Sequence, residues 1–167
     1  MGRAPAGPEQ SRFVHLDRIA RRERRWYKAR YTFGKDMPAK RRKKRILVIE
    51  DDEITREMLQ RTLSRAGFRV STAPNGLKLV SSLNVSKPDL ILLDVMMSWV
   101  NGIELCRLIG RIREYRDVPV IFVSGHSDAK TIEECKAAGG VEFIAKPIDL
   151  ALLISAVKKY LGIGADG

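Results

Sequence analysis

The chain has 167 residues, room for one ordinary domain and a tail. Its formal net charge of +11 is lopsided: residues 1–45 hold 16 Lys+Arg and 4 Asp+Glu, while residues 46–167 hold 15 and 16. The basicity thus belongs to the tail. No apolar run reaches membrane-span length, no signal-peptide core follows the basic start, and Cys106 and Cys135 lack metal-ligand spacing, so a cytoplasmic protein with inert buried thiols is expected.

Residues 1–10, rich in Gly, Pro and Ala, are expected to be disordered. Ser11 is placed to cap a helix running to about Tyr31, with Phe13, Leu16, Ile19, Trp26 and Tyr27 as a ragged apolar side among arginines. Residues 35–45 contain Pro38 and the run Lys40-Arg41-Arg42-Lys43-Lys44-Arg45, and read as a solvated linker. Residues 1–44 are therefore assigned as a basic extension, largely disordered or partly helical.

From residue 45 to residue 162 the character changes to that of a domain. Ile46-Leu47-Val48-Ile49 is a buried strand running into Glu50-Asp51-Asp52-Glu53. Residues 54–66 have helical spacing through Ile54, Met58, Leu59 and Leu63, with Gly67 as the stop. Residues 68–72 form a short strand, and Asn75-Gly76 opens a helix through Leu77, Val80 and Leu83. Leu90-Ile91-Leu92-Leu93-Asp94 is a strand bounded by Pro88-Asp89 and Asn101-Gly102. Residues 102–115 are helical on Ile103, Leu105, Leu108, Ile109 and Ile112. Residues 118–123 form a strand ending in Ser124-Gly125, and residues 128–138 a helix stopped by Gly139-Gly140. Residues 141–145 are a strand ending in Lys146-Pro147. Asp149 caps a last helix through Leu152, Ile154, Val157, Tyr160 and Leu161, and residues 163–167 are a short tail.

Five strands alternating with five helices demand a mostly parallel sheet covered on both sides, with right-handed crossovers. In such a sheet the carboxyl ends of the strands share one edge, where open α/β sheets bind ligands. Those ends carry Glu50-Asp51, Asp94, Ser124 and Lys146. A charge inside a strand buried on both faces is costly, whereas at its end it reaches a crevice, which makes Asp94 the leading candidate for chemistry. Each group alone has a plainer reading: a loop-capping Asp, a strand-end hydroxyl, a surface lysine. Asp52 and Glu53 read simply as carboxylates favourable to a helix dipole. Converging in this order, the others make a site. Clustered carboxylates repel unless a cation sits among them, and hard oxygen ligands with an open side suit Mg²⁺. A carboxylate beside Mg²⁺ can attack phosphorus, while a lysine and a hydroxyl neutralise the transferred oxygens.

On these residues the chain resembles the receiver domain of two-component response regulators, of the single-domain type, over about residues 45–162. The marks are Ile46-Leu47-Val48-Ile49-Glu50-Asp51-Asp52, Ala73-Pro74-Asn75-Gly76, Leu92-Leu93-Asp94-Val95-Met96-Met97, Val123-Ser124-Gly125 and Phe143-Ile144-Ala145-Lys146-Pro147. The resemblance implies a flavodoxin-like (βα)5 doubly wound sheet of strand order 2-1-3-4-5. It implies Asp94 as acceptor of phosphate from a histidine kinase or phosphotransfer protein. It implies Mg²⁺ held by Glu50, Asp51, Asp94 and the Met96 carbonyl. Ser124 would hydrogen-bond the phosphoryl group, Lys146 would pair with it, and Phe143 would act with Ser124 as a switch. Lys146 and Pro147 would be joined by a cis bond. The family usually has Pro where this chain has Ser98, so a looser loop is expected, with Trp99 covering the site or meeting a partner. His126 is expected to flank the site rather than to donate phosphate.

The function implied is that of a phosphoacceptor signalling through phosphorylation-dependent protein binding, with phosphorylation-linked homodimers as one output. It is not an enzyme beyond its self-catalysed transfer and hydrolysis. The alternative is a receiver that regulates polyanion or nucleic-acid binding by residues 11–45, whose cations, Trp26 and Tyr27 suit phosphates and bases. A phosphatase with an aspartate nucleophile would need a second Asp two residues on, where Met96 stands. On a second reading Met37 would be the true start and residues 1–36 a translated upstream region.

Overall fold

Alternate residues of each apolar run turn to opposite faces of a strand, and the runs here bury both faces. The computed structural model describes residues 42–75, 79–98 and 100–164; the helix expected over residues 11–31, most of the linker, the opening Gly76, Leu77, Trp99 and the end of the tail lie outside them. The strands are β1 (Arg45–Ile49), β2 (Arg69–Ala73), β3 (Leu90–Asp94), β4 (Val120–Ser124) and β5 (Glu142–Ala145). All neighbours pair in parallel, in the order β2-β1-β3-β4-β5. This is the doubly wound flavodoxin-like order that the resemblance implies.

The helices are α1 (Glu53–Arg65), α2 (Leu79–Ser86), α3 (Gly102–Arg111), α4 (Ala129–Ala137) and α5 (Leu150–Tyr160). One face of the sheet packs Ile46, Val48, Leu90, Leu92 and Ile121 against Leu59 and Leu63 of α1 and Leu153 and Val157 of α5. The other packs Leu47, Ile49, Ile91, Leu93 and Phe122 against Leu83 of α2, Ile103 and Ile109 of α3 and Cys135 of α4. Each such fully buried aliphatic side chain stabilises the fold by roughly 1.5–3 kcal/mol relative to exposure. Asp52, Asn101, Asp128 and Asp149 cap α1, α3, α4 and α5 through side-chain oxygens that accept backbone N–H bonds. Gly67 and Gly139 stop α1 and α4 at φ +96° and +101°, a conformation that favours glycine.

Several boundaries differ from the periodicity. α3 ends at Arg111, not at Tyr115, because Ile112 leaves the helix at ψ 114°. Ile112 then packs against the core, and the Tyr115 hydroxyl donates to Asn84 Oδ1 at 3.3 Å. Burial of those two side chains outweighs continued helical hydrogen bonding. β2 runs to Ala73, β4 begins at Val120 and takes in Ser124, and β5 begins at Glu142. Ile54, Leu108 and Leu152 fit the helical spacing yet are 81%, 51% and 56% exposed, since the stripes through Leu59, Leu105 and Leu153 face the sheet instead.

Candidate functional site

Strand register builds the site one step at a time. Ile49 lies opposite Leu93, so Glu50 follows β1 level with Asp94 at the end of β3. Asp94 faces Val123, and Ser124 faces Ala145, so Ser124 and Lys146 stand one step further out. The chain leaves β1 for α1, β3 for α3 and β5 for α5 at this same edge.

Glu50, Asp94 and Ser124 are among the few buried polar residues, at 1%, 5% and 0% exposure. Buried charges require partners, and Lys146 supplies one for two carboxylates. Its Nζ donates to Glu50 Oε2 at 2.9 Å and to Asp94 Oδ2 at 3.0 Å. The peptide bond from Lys146 to Pro147 is cis, as the resemblance implies. Burial pushes the Glu50 carboxyl up to about 7; Lys146 opposes that push and the negative charge of Asp94 adds to it. Burial pulls the Lys146 ammonium down, but its hydrogen bonds to Glu50 and Asp94 outweigh this and leave it raised.

The remaining contacts hold the rim. Asp94 Oδ1 accepts from the Met96 N–H at 3.2 Å, and Met96 pairs with Asn101 in an antiparallel bridge. Glu50 Oε1 accepts from the Asp52 N–H at 3.2 Å. Ser124 Oγ accepts from the His126 N–H at 3.1 Å, and its carbonyl accepts from the Lys146 N–H at 2.8 Å. Phe143 is half-buried against the core cluster that contains Phe122, its register partner. His126 is exposed beside the site. The Met96 side chain is 56% exposed.

One carboxylate oxygen each from Glu50, Asp51 and Asp94 lies within 4.8 Å of the others. Three carboxylates against one ammonium leave a local excess of negative charge, and all the ligand atoms are hard oxygens. That donor set fits Mg²⁺, which binds through a few carboxylates and retains water or phosphate.

Three features escaped sequence reasoning. Ser98, from which only a looser loop was expected, is bonded to the site: its N–H and its hydroxyl donate to Asp51 Oδ2 at 2.8 Å and 2.6 Å. The Ser98 hydroxyl bond is the leading cause holding the Asp51 carboxyl below the usual range. Arg56, in the first turn of α1, donates from Nη1 to the carbonyls of Glu50 and Asp51, both at 3.0 Å. Gly102 is required sterically, because a Cβ there would overlap the Asp94 carbonyl oxygen. In the sequence the Asn101-Gly102 pair stood only as the boundary after the strand. Cys106 and Cys135 take no part in the site; burial pushes both thiols up to about 11, which keeps them neutral.

Comparison with known proteins agrees with this geometry. Residues 46–158 match the family model described as the response regulator receiver domain. The chain is 38% identical over 116 residues to the transcriptional regulatory protein CseB of Streptomyces coelicolor, covering 70% of this chain and 48% of that protein. It thus spans about half the length of that regulator. It is 31% identical over 122 residues to sporulation initiation phosphotransferase F of Bacillus subtilis, covering 73% of this chain and 97% of that protein. A solved structure of the receiver domain of sensor histidine kinase PA1611 from Pseudomonas aeruginosa, with magnesium coordinated in its active site cleft, superposes with a TM-score of 0.67. That pair is 26% identical, covering 72% of this chain and 99% of the other.

Proposed function

Because the chain belongs to the response regulator receiver domain family, we propose that Asp94 is its phosphoacceptor within a two-component phosphorelay. The observation that carries this reading is the contact of Lys146 Nζ with both Glu50 and Asp94 beside three converging carboxylates. An Asp94 carboxylate oxygen attacks the phosphorus of the donor. The new O–P bond forms as the bond to the donor's leaving atom breaks, and the leaving group takes that electron pair. Lys146 then turns its ammonium from Asp94 Oδ2 to a phosphoryl oxygen. Ser124 Oγ accepts from the His126 N–H at 3.1 Å, which leaves its own proton to be donated to the phosphoryl group in this reading. Glu50, Asp51, Asp94 and the Met96 carbonyl would hold Mg²⁺, which supplies neutralising charge for the incoming phosphoryl oxygens when bound.

The phosphoryl donor in this reading is a histidine kinase or a phosphotransfer protein, and the output is altered protein binding. The like charge of residues 11–45 supports a polyanion as an additional contact. No described helix is long and apolar enough to cross a membrane. Incubation with a small phosphodonor should add one phosphoryl mass to the intact protein with Mg²⁺ and none after chelation. Equal uptake with and without Mg²⁺ would contradict the role given to the carboxylate cluster.

Signalling requires a bistable element. In this reading Ser124 is drawn toward the phosphate and Phe143, half-buried against the core, turns inward with it. Hydrogen exchange across α4, β5 and α5 should therefore change on adding a phosphate mimic. Unchanged exchange from Asp128 to Tyr160 would mean a passive phosphate relay.

A further inference from the structure

We infer that Ser98 is a positioning residue that sets Mg²⁺ affinity by fixing the Asp51 carboxylate before the cation arrives. This rests on the reading of the acidic cleft as a Mg²⁺ site. Lys146 already restrains Glu50 and Asp94, donating to one oxygen of each. Among the described residues Asp51 has no ion-pair partner. It is half-buried, and Ser98 is its anchor, with two donors meeting one oxygen, Oδ2.

Both donors come from a loop that is itself fixed to the site. That loop leaves β3 at Asp94, whose Oδ1 accepts from the Met96 N–H. The bridge between Met96 and Asn101 and the bond from the Gly102 N–H to the Val95 carbonyl at 2.8 Å close the loop's base. Ser98 thus ties the carboxylate that follows β1 to the segment that carries Asp94 and Met96, across 47 residues of sequence. A hydrogen bond to a carboxylate is charge-assisted and short, and a partner outside the coordination sphere that orients a ligand sharpens metal affinity. Proline at this position would offer neither the N–H nor the hydroxyl.

Calorimetric titration of full-length protein with Mg²⁺ tests the inference. Ser98→Ala keeps the N–H bond and loses the hydroxyl bond, and should raise the Mg²⁺ dissociation constant about tenfold. Ser98→Thr restores the hydroxyl and should bind within about twofold of wild type, as rescue by a conservative variant requires. Because Ser98 is exposed, the metal-free melting temperature should fall by no more than a few degrees in Ser98→Ala and stay at the wild-type value in Ser98→Thr. Wild-type or tighter binding by Ser98→Ala would overturn the inference and leave the phosphoacceptor reading intact. Wild-type protein that takes up no Mg²⁺ would overturn both.

Discussion

Replacing Gly102 by alanine is expected to destabilise the protein by about 3 kcal/mol, the upper end of the range for forced overpacking. The added Cβ would overlap the Asp94 carbonyl oxygen and come to 3.0 Å from Val95 Cα. These are backbone atoms, so no side-chain rotation relieves the clash. The Gly102 N–H also donates to the Val95 carbonyl at 2.8 Å, so α3 cannot retreat without breaking that bond. Because the displaced atoms belong to Asp94 itself, phosphoryl uptake should slow as well. Gly110 in the same helix is the control: nothing lies within 4 Å of a Cβ there. Gly110→Ala should stabilise by roughly 0.5–1 kcal/mol, the ordinary helix preference for alanine. Urea denaturation of both variants checks the pair, and a wild-type midpoint for Gly102→Ala would refute the close approach.

The second large effect is loss of the phosphoryl adduct in Asp94→Asn. A neutral amide is no nucleophile toward phosphorus, so uptake should fall below detection. The fold should survive, because Asn keeps the shape of Asp while removing one of three mutually repelling charges. Glu50 should respond in a defined direction. The charge of Asp94 helps raise its carboxyl to about 7. With that contribution gone and Lys146 retained, Glu50 should titrate lower. Carboxyl chemical shifts followed against pH would register the change, and an unmoved Glu50 would mean the two carboxyls do not interact.

How much of this was legible in the sequence differs from residue to residue. Glu50, Asp94, Ser124 and Lys146 were legible because each ends a run of apolar residues, and a parallel sheet aligns such ends on one edge. The capping role of Asp149 was legible because capping is local chemistry. The end of α3 was not, since Ile112 continues the helical spacing and only tertiary burial of Ile112 and Tyr115 turns the chain away. Ile54 and Leu152 misled for the related reason that spacing does not choose between adjacent apolar stripes. Ser98 read as a lost proline because its partner, Asp51, lies 47 residues away and the contact depends on the path of the loop. Gly102 read only as a boundary between strand and helix, because its real constraint is the carbonyl of the strand end at Asp94.

The most direct test is to locate the phosphoryl group. Borohydride reduces an acyl phosphate to an alcohol, so protein phosphorylated with a small phosphodonor and Mg²⁺, then reduced and digested, will carry homoserine in place of the acceptor. Tandem mass spectrometry should find that conversion at position 94. Conversion at Glu50 or Asp51, or a stable phosphoryl group on His126 with position 94 unmodified, would contradict it.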